Sequence, residues 1–329
     1  MSKFPLTFAC GGYDRMQPLM TGAIEPEGID LNFLDIQAPR EIFDRMVKRR
    51  EFHASELSLS EFISQMAAGD CPFVGIPVFP SKMFRHGYFI VNPNSGIKTP
   101  KDMEGKRVGL PMYTQTAAVM IRGFMENDYG VDLSKIHWVM GAVEKPGTHG
   151  IPAPPPLLKP VEVEINNNPD KSLGDLLADG EIDAIIGSRL PVNLGTHPNV
   201  VRLFPNYREV ERDHFIRTGI HPIMHLVVIR KDIHEAEPWI ATSLYKACVA
   251  SKNLALKQTR FSGAQHLMLP WLFPDLDEID DLFGGDPWPY GIEENRPSLE
   301  AMVKYLHQQH FIAEQMPIED LFLDVKPSD

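Results

Sequence analysis

Segments with a period of two take turns with helical segments from the start of the chain, and this order constrains the fold more than any other feature. Residues 3–9 alternate in a strand-like way and end at Gly11-Gly12. Residues 13–21 read as a short helix limited by Pro18. Residues 29–35 alternate apolar and polar side chains, which argues a strand. Pro39 sits in the first turn of a helix to about Arg50, with Ile42, Phe43, Met46 and Val47 on its apolar face. Residues 54–57 are a short strand. Ser58 or Ser60 then caps a helix that carries Phe62, Ile63 and Met66 and stops at Gly69. Residues 73–79 and 87–91 read as two further strands. Such alternation predicts a mostly parallel sheet with helices on both faces.

A second unit of the same kind begins near residue 95. Residues 101–110 are a turn feeding a strand, and Thr114-Gln115-Thr116 opens a helix to about Glu126. Strands are expected at 136–140, 161–165 and 183–187, with a helix over 173–178. Residues 144–160 hold six prolines, so they read as an extended excursion or lid. After Pro205 the chain returns to the first unit with a strongly apolar strand over 224–230 and helices from Pro238 and over 298–309. The expected architecture is therefore α/β and two-lobed. Residues 1–94 with 207–329 form one lobe, and the inserted residues 95–206 form the other. Ligands of open α/β sheets bind at the carboxyl ends of strands, which places a site between the lobes. Two crossovers make a hinge there.

The 329 residues suffice for two buried cores. Lys plus Arg is 32 against 44 Asp plus Glu, a net charge of −12, which argues against nucleic-acid and anionic-membrane partners. A cleft on such a protein can still be locally basic. No apolar stretch approaches the ~20 residues of a membrane span. The beginning of the sequence lacks the pattern of a secretory signal. Cys10, Cys71 and Cys248 have no metal-ligand spacing and read as reduced thiols, so the expected location is cytoplasmic. Self-association as a homo-oligomer is left open.

Candidate site residues follow from position. In Gly11-Gly12-Tyr13-Asp14-Arg15 the glycines let backbone approach a ligand, and Tyr13, Asp14 or Arg15 could reach it. The same residues would also make an ordinary strand–helix turn with a surface ion pair. Thr114 and Thr116 stand at a helix start, where unpaired N–H groups favour an anion; a plain cap is the alternative. Ser58 and Ser60 have the same two readings. Lys82, Arg85 and His86 form a basic cluster, and Arg189 ends a buried strand; Arg suits a carboxylate, though a solvated loop has the same composition. His221 and His225 invite a metal reading, but on a strand they stand ~13 Å apart at about 3.3 Å per residue, too far for one ion. No other metal motif is present, so no metal site is expected. A histidine near the hinge suits proton transfer, with a hydrogen-bonded core histidine as the alternative. Trp288, in a loop rich in Pro and aromatic residues, could stack on an aromatic ring or simply pack.

The 11–15 loop, residues 56–61, 77–88, 109–122 and 288–296 together resemble the 4,5-dihydroxyphthalate decarboxylase family. The frame, including 101–110, is also similar to type II substrate-binding proteins of ABC transporters. The resemblance implies a periplasmic-binding-protein-like type II fold. It implies non-oxidative loss of CO₂ from 4,5-dihydroxyphthalate, giving protocatechuate, without an organic cofactor. In that chemistry Arg15, Arg85 and Arg189, helped by Thr114 and Thr116, would hold the carboxylates. His86, His221 or His225 would protonate the ring carbon, and Asp14 would polarise the para hydroxyl. The rival readings are a solute-binding protein for a small carboxylate, a biosynthetic enzyme of the same fold with a larger substrate, and a ligand sensor without chemistry.

Overall fold

Strand and helix do alternate through the first lobe, in a computed structural model that describes residues 3–150 and 157–325. The strands are β1 (Phe4–Cys10), β2 (Ile29–Asp35), β3 (Ala54–Ser58) and β4 (Phe73–Lys82). The intervening helices are α1 (Gln17–Met20), α2 (Pro39–Arg49) and α3 (Leu59–Ala68). Pro39 opens α2, where its missing N–H has no intrahelical partner to lose. Gly69 closes α3 at φ 84°, a left-handed conformation that glycine adopts without a Cβ clash.

The second lobe holds β5 (Ile90–Val91), β6 (Arg107–Leu110), β7 (His137–Met140), β8 (Val163–Ile165), β9 (Ala184–Ile185) and β10 (Val201–Arg202). Its helices are α4 (Thr116–Asn127) and α5 (Leu173–Asp179). The chain returns through α6 (Tyr207–Thr218) to β11 (Ile223–Arg230). It finishes with α7 (Lys231–Ala236), α8 (Trp239–Thr259), α9 (Leu272–Phe283) and α10 (Arg296–Gln308).

The first sheet has the order β2-β1-β3-β11-β4 and the second β10-β5-β9-β6-β7-β8. β1 is parallel to β2 and β3, whereas β11 is antiparallel to β3 and β4. In the second sheet β6 is parallel to β7 and β9, and β5 is antiparallel to β9 and β10. Each sheet thus has one reversed strand, and it is the strand that arrives from the other lobe. A strand reached from another strand of the same sheet through a helical crossover returns parallel; one that arrives from the other sheet is free of that constraint.

Sheet membership changes between Lys82 and Ile90 and again between Arg202 and Ile223. The first change comes before the expected limit at residue 94. Residues 87–91 are not one strand of the first unit: His86–Tyr88 is a 3₁₀ turn, and β5 pairs in the second sheet. Packing explains the turn. Gly87 lies under the Tyr207 ring, where a Cβ would come within 2.9 Å, and its N–H donates to Glu211 at 3.0 Å.

One apolar cluster runs through both lobes, including Leu6, Phe8 and Val227 of the first sheet and Ala117, Met120 and Phe124 of α4. A smaller cluster gathers Ile90, Val139, Leu173 and Ile185. α4 is buried from Thr116 to Met125, and Gly123 lets the Tyr305 ring of α10 sit directly on its backbone. Residues 143–150 and 157–162 have no regular structure, as expected of the proline-rich excursion; residues 151–156 lie outside the described residues. Among the described residues no helix is long and apolar enough to cross a membrane.

Candidate active site

The parallel pairing of β1 with β3 brings two strand ends to one edge, and Glu56 of β3 lies there, 0% exposed. Its Oε2 accepts from Gly11 N–H at 3.0 Å and from Cys10 Sγ at 3.5 Å. Its Oε1 accepts from the Tyr13 hydroxyl at 2.7 Å and lies 2.5 Å from His225 Nδ1. The two glycines of the loop make this possible. A Cβ on Gly11 would lie 3.0 Å from the Tyr13 ring, and one on Gly12 2.7 Å from Gln37 Nε2. His225 comes from β11, which is irregular on both sides of this residue; such a bulge re-aims a side chain. The Phe43 ring of α2 meets the imidazole edge-on at 5.0 Å.

Burial alone would raise the Glu56 carboxyl. The imidazole, the phenol and the Gly11 N–H outweigh that effect and hold it below the usual carboxylate range. Burial and the neighbouring Glu56 charge push the Tyr13 phenol up, so it stays a donor. An ionised, acceptor-only Glu56 assigns the Nδ1 proton to His225 and leaves Nε2 for other work. The imidazole is 17% exposed while Glu56 is fully enclosed, so His225 is the member of the pair that reaches toward solvent.

Ser58 and Ser60 of the first lobe meet Thr116 of the second. Both serine Oγ atoms lie 2.9 Å from Thr116 Oγ1, which also accepts from Ser60 N–H at 3.2 Å. Ser60 Oγ donates to the Thr114 carbonyl at 3.0 Å. The N-termini of α3 and α4, one from each lobe, therefore converge, and their positive ends favour an anion between them.

Next to this junction Arg40 of α2 pairs with Glu61 at 2.5 Å and with Asp44 at 2.9 Å. Gln115 Nε2 lies 3.2 Å from His149 Nε2 on the segment that follows β7. Burial, then Arg189 and Arg40, lower the His149 pKa and keep the ring neutral. Arg40 Nε, Glu61 Oε2, Thr114 Oγ1 and Gln115 Oε1 are buried without a hydrogen-bond partner. Arg189 is exposed, 3.5 Å from Glu144. Among the described residues no group of three or more His, Cys, Asp or Glu side chains could hold a metal ion.

The structure thus brings together Tyr13, Ser58, Thr114, Thr116 and His225. Arg15 and Trp288 form the layer behind Tyr13. The Arg15 guanidinium lies 4.4 Å from the Tyr13 ring and 4.1 Å from the Trp288 ring, and its Nε donates to the Pro80 carbonyl. Asp14 is exposed and paired with Arg15 at 2.9 Å. Arg85 and His86 sit elsewhere, and His221 meets the Trp288 ring edge-on at 5.5 Å. Arg85 is buried over the Tyr88 ring, and burial pushes its pKa down to about 10. His221 stacks on Phe84 at 4.6 Å, its pKa lowered to about 3 by burial and then by Lys82. His86 is 1% exposed, stacked on Phe124 at 5.2 Å and beside His214 at 5.0 Å.

The surroundings of His86 set an acid limit on stability. Burial, then His214, lower its pKa from 6.5 to about 4. The unfolded ring takes a proton near pH 6.5 and the native ring does not, so stability is lost as pH falls through that window. At pH 5 the loss is about 2 kcal/mol relative to neutrality. His221, whose pKa burial lowers to about 3, adds in the same direction. Urea melts of His86→Phe at pH 7 and pH 5 should show the wild type losing about 2 kcal/mol more than the variant. Equal losses would remove His86 from the account.

Sequence reasoning left out Glu56, Arg40, Glu61, Gln115 and His149 as site residues. For Glu56 a signal existed: a carboxylate in the middle of a short strand is rarely buried unless paired. Arg40 and His149 sit on a helix flank and an irregular segment and carry no such signal.

Two lobes, mixed sheets with one reversed strand each and a polar junction between them define a periplasmic-binding-protein-like fold of the type II class. The chain is similar to the periplasmic aliphatic sulphonate-binding protein of Escherichia coli, with a TM-score of 0.53 at 12% identity, over 98% of each chain. It is also similar to the putative periplasmic sulfonate-binding protein of Methylobacillus flagellatus, with a TM-score of 0.52 at 12% identity, over 98% of this chain and 92% of that one. These likenesses concern the fold alone. Residues 84–145 match the NMT1/THI5-like family model. A 4,5-dihydroxyphthalate decarboxylase of Comamonas testosteroni is 37% identical over 324 residues, 98% of this chain and 97% of the relative. One of Pseudomonas putida is 39% identical over 207 residues, 62% of this chain and 78% of the relative. The chain belongs to the 4,5-dihydroxyphthalate decarboxylase family.

Proposed function

We propose that this chain decarboxylates 4,5-dihydroxyphthalate to protocatechuate and CO₂. The observation that carries the reading is the 37% identity to the Comamonas relative over 98% of the chain. The Glu56–His225 pair, at the edge of the cleft, is of the kind the reaction requires.

Each carboxylate of the substrate is para to a hydroxyl. A proton added to the ring carbon that bears a carboxylate creates a cation, which the para hydroxyl stabilises. The bond to the carboxylate carbon then breaks, its electron pair returns to the ring, and CO₂ leaves. In this assignment His225 delivers the proton, with Glu56 stabilising the charged imidazole and fixing its orientation. The converging N-termini of α3 and α4, with the hydroxyls of Ser58, Thr114 and Thr116, hold carboxylate oxygens. Arg189, which helps to lower the His149 pKa, adds positive charge on that side of the junction. The reaction is written without a cofactor, and the proposed location is cytoplasmic, in accord with three unpaired cysteines.

The direct test is to incubate the purified protein with 4,5-dihydroxyphthalate, with and without a chelator, and to follow CO₂ and protocatechuate. Both products should form at equal rates in the two conditions. Tight binding without product would make the chain a solute-binding protein instead. Loss of activity on chelation would replace the metal-free route.

A further inference from the structure

Four polar atoms without partners belong to residues joined around the lobe junction, where Arg40 pairs with Glu61 and Ser60, next to Glu61, donates to Thr114, next to Gln115; their chemistry is uneven. Glu61 Oε2 and Gln115 Oε1 are acceptors, Arg40 Nε is a donor, and Thr114 Oγ1 can be either. A phthalate ring bearing only carboxylates offers acceptors alone. It would satisfy Arg40 and Thr114 and leave Glu61 facing a like charge. Ring hydroxyls are the groups that bring donors.

We infer that Glu61 is the acceptor for the ring hydroxyls and makes the site selective for a dihydroxylated aromatic acid over the unhydroxylated one. This role rests on the reading of the cleft as a site for 4,5-dihydroxyphthalate. Glu61 is 2% exposed. Its Oε1 is held by Arg40 at 2.5 Å, which fixes the carboxylate and leaves Oε2 without a donor. It follows directly after Ser60, whose N–H and Oγ bind Thr116 and Thr114 of the opposite lobe, so it stands where the lobes close. Arg40 is itself anchored by Asp44 one turn along α2, so the Arg40–Glu61 pair is positioned without the ligand. A buried carboxylate oxygen with no donor is costly, and one that accepts a hydroxyl proton gains a charge-assisted hydrogen bond.

Two ligands that do not react separate this role from the chemistry. Protocatechuate carries the hydroxyls, and phthalate lacks them. Calorimetric titration of the full chain and of Glu61→Gln with each ligand is the experiment. The variant should lose about 10- to 100-fold in affinity for protocatechuate, the worth of one hydrogen bond to a charged group, and keep or gain affinity for phthalate, whose carboxylates no longer face a like charge. Equal loss for both ligands, or no loss for either, overturns the role. Should the variant not fold, wild-type inhibition by phthalate and 4-hydroxyphthalate decides: the hydroxyl should tighten binding about tenfold or more, and equal inhibition overturns the role. A wild type that releases no CO₂ yet discriminates by hydroxyl sinks the decarboxylation and keeps Glu61 as its selectivity residue. Turnover with no such discrimination does the reverse.

Discussion

Asparagine at position 225 is expected to lower turnover of 4,5-dihydroxyphthalate by about 10²- to 10⁴-fold, the usual contribution of a positioned general acid. Substrate binding should change little. The asparagine amide can still donate toward Glu56, so the irregular stretch of β11 and the neighbouring Ser58 keep their places. What the variant lacks is a proton that can be lost and regained. Steady-state rates show the first effect and calorimetry the second. Unchanged turnover would move the proton donor elsewhere. His86 and His221 would be poor replacements, because both are held neutral at physiological pH.

Alanine at position 56 is expected to cost about 3–5 kcal/mol of stability, in the range for breaking a buried charged pair. Glu56 accepts from Gly11, Tyr13 and Cys10 and holds His225, and all of these lose their acceptor at once. Glutamine should cost less, since it keeps one acceptor oxygen, but it should still lower turnover because His225 loses its counter-charge. The pH dependence has a defined sign. The folded carboxyl titrates below its unfolded value of 4.5, so its contribution is present above that value and is lost as the solution is made more acidic. Urea melts of the wild type and Glu56→Ala between pH 7 and pH 3 measure both points. A cost below about 1 kcal/mol at pH 7 would mean that solvent replaces Glu56 in these bonds.

The alternation of strand and helix was legible because each first-lobe element carries its own signal. Pro39 starts α2, Gly69 stops α3, and period-two patterning marks β2. The short 3₁₀ turn at His86–Tyr88 was not legible, because it depends on the Tyr207 ring some 120 residues away, counted from Gly87 to Tyr207. α6 was missed for a related reason: of its residues only His214 is buried, so it has no apolar stripe to read. In the site, Tyr13, Ser58, Thr114 and Thr116 could be proposed because each lies at a strand end or helix start, and His225 because a histidine near the hinge suits proton transfer. Which histidine belongs in the cleft could not be read, since His86, His221 and His225 differ only in their tertiary partners: Phe124, Phe84 and Glu56.

The place of β11 between β3 and β4 has a consequence for synthesis on the ribosome. Lys82 ends β4, and its sheet neighbour opens at Ile223, about 140 residues later. At roughly 5–20 residues per second, β4 waits on the order of ten seconds or more with Ile76, Val78 and Phe79 unpaired. A long apolar strand left open in this way invites pairing between nascent chains. β4 carries Pro77 and Pro80, which offer no N–H to a passing strand, and it remains an edge strand in the finished sheet. The two prolines are compatible with the native edge and at the same time make the waiting strand a poor template for aggregation.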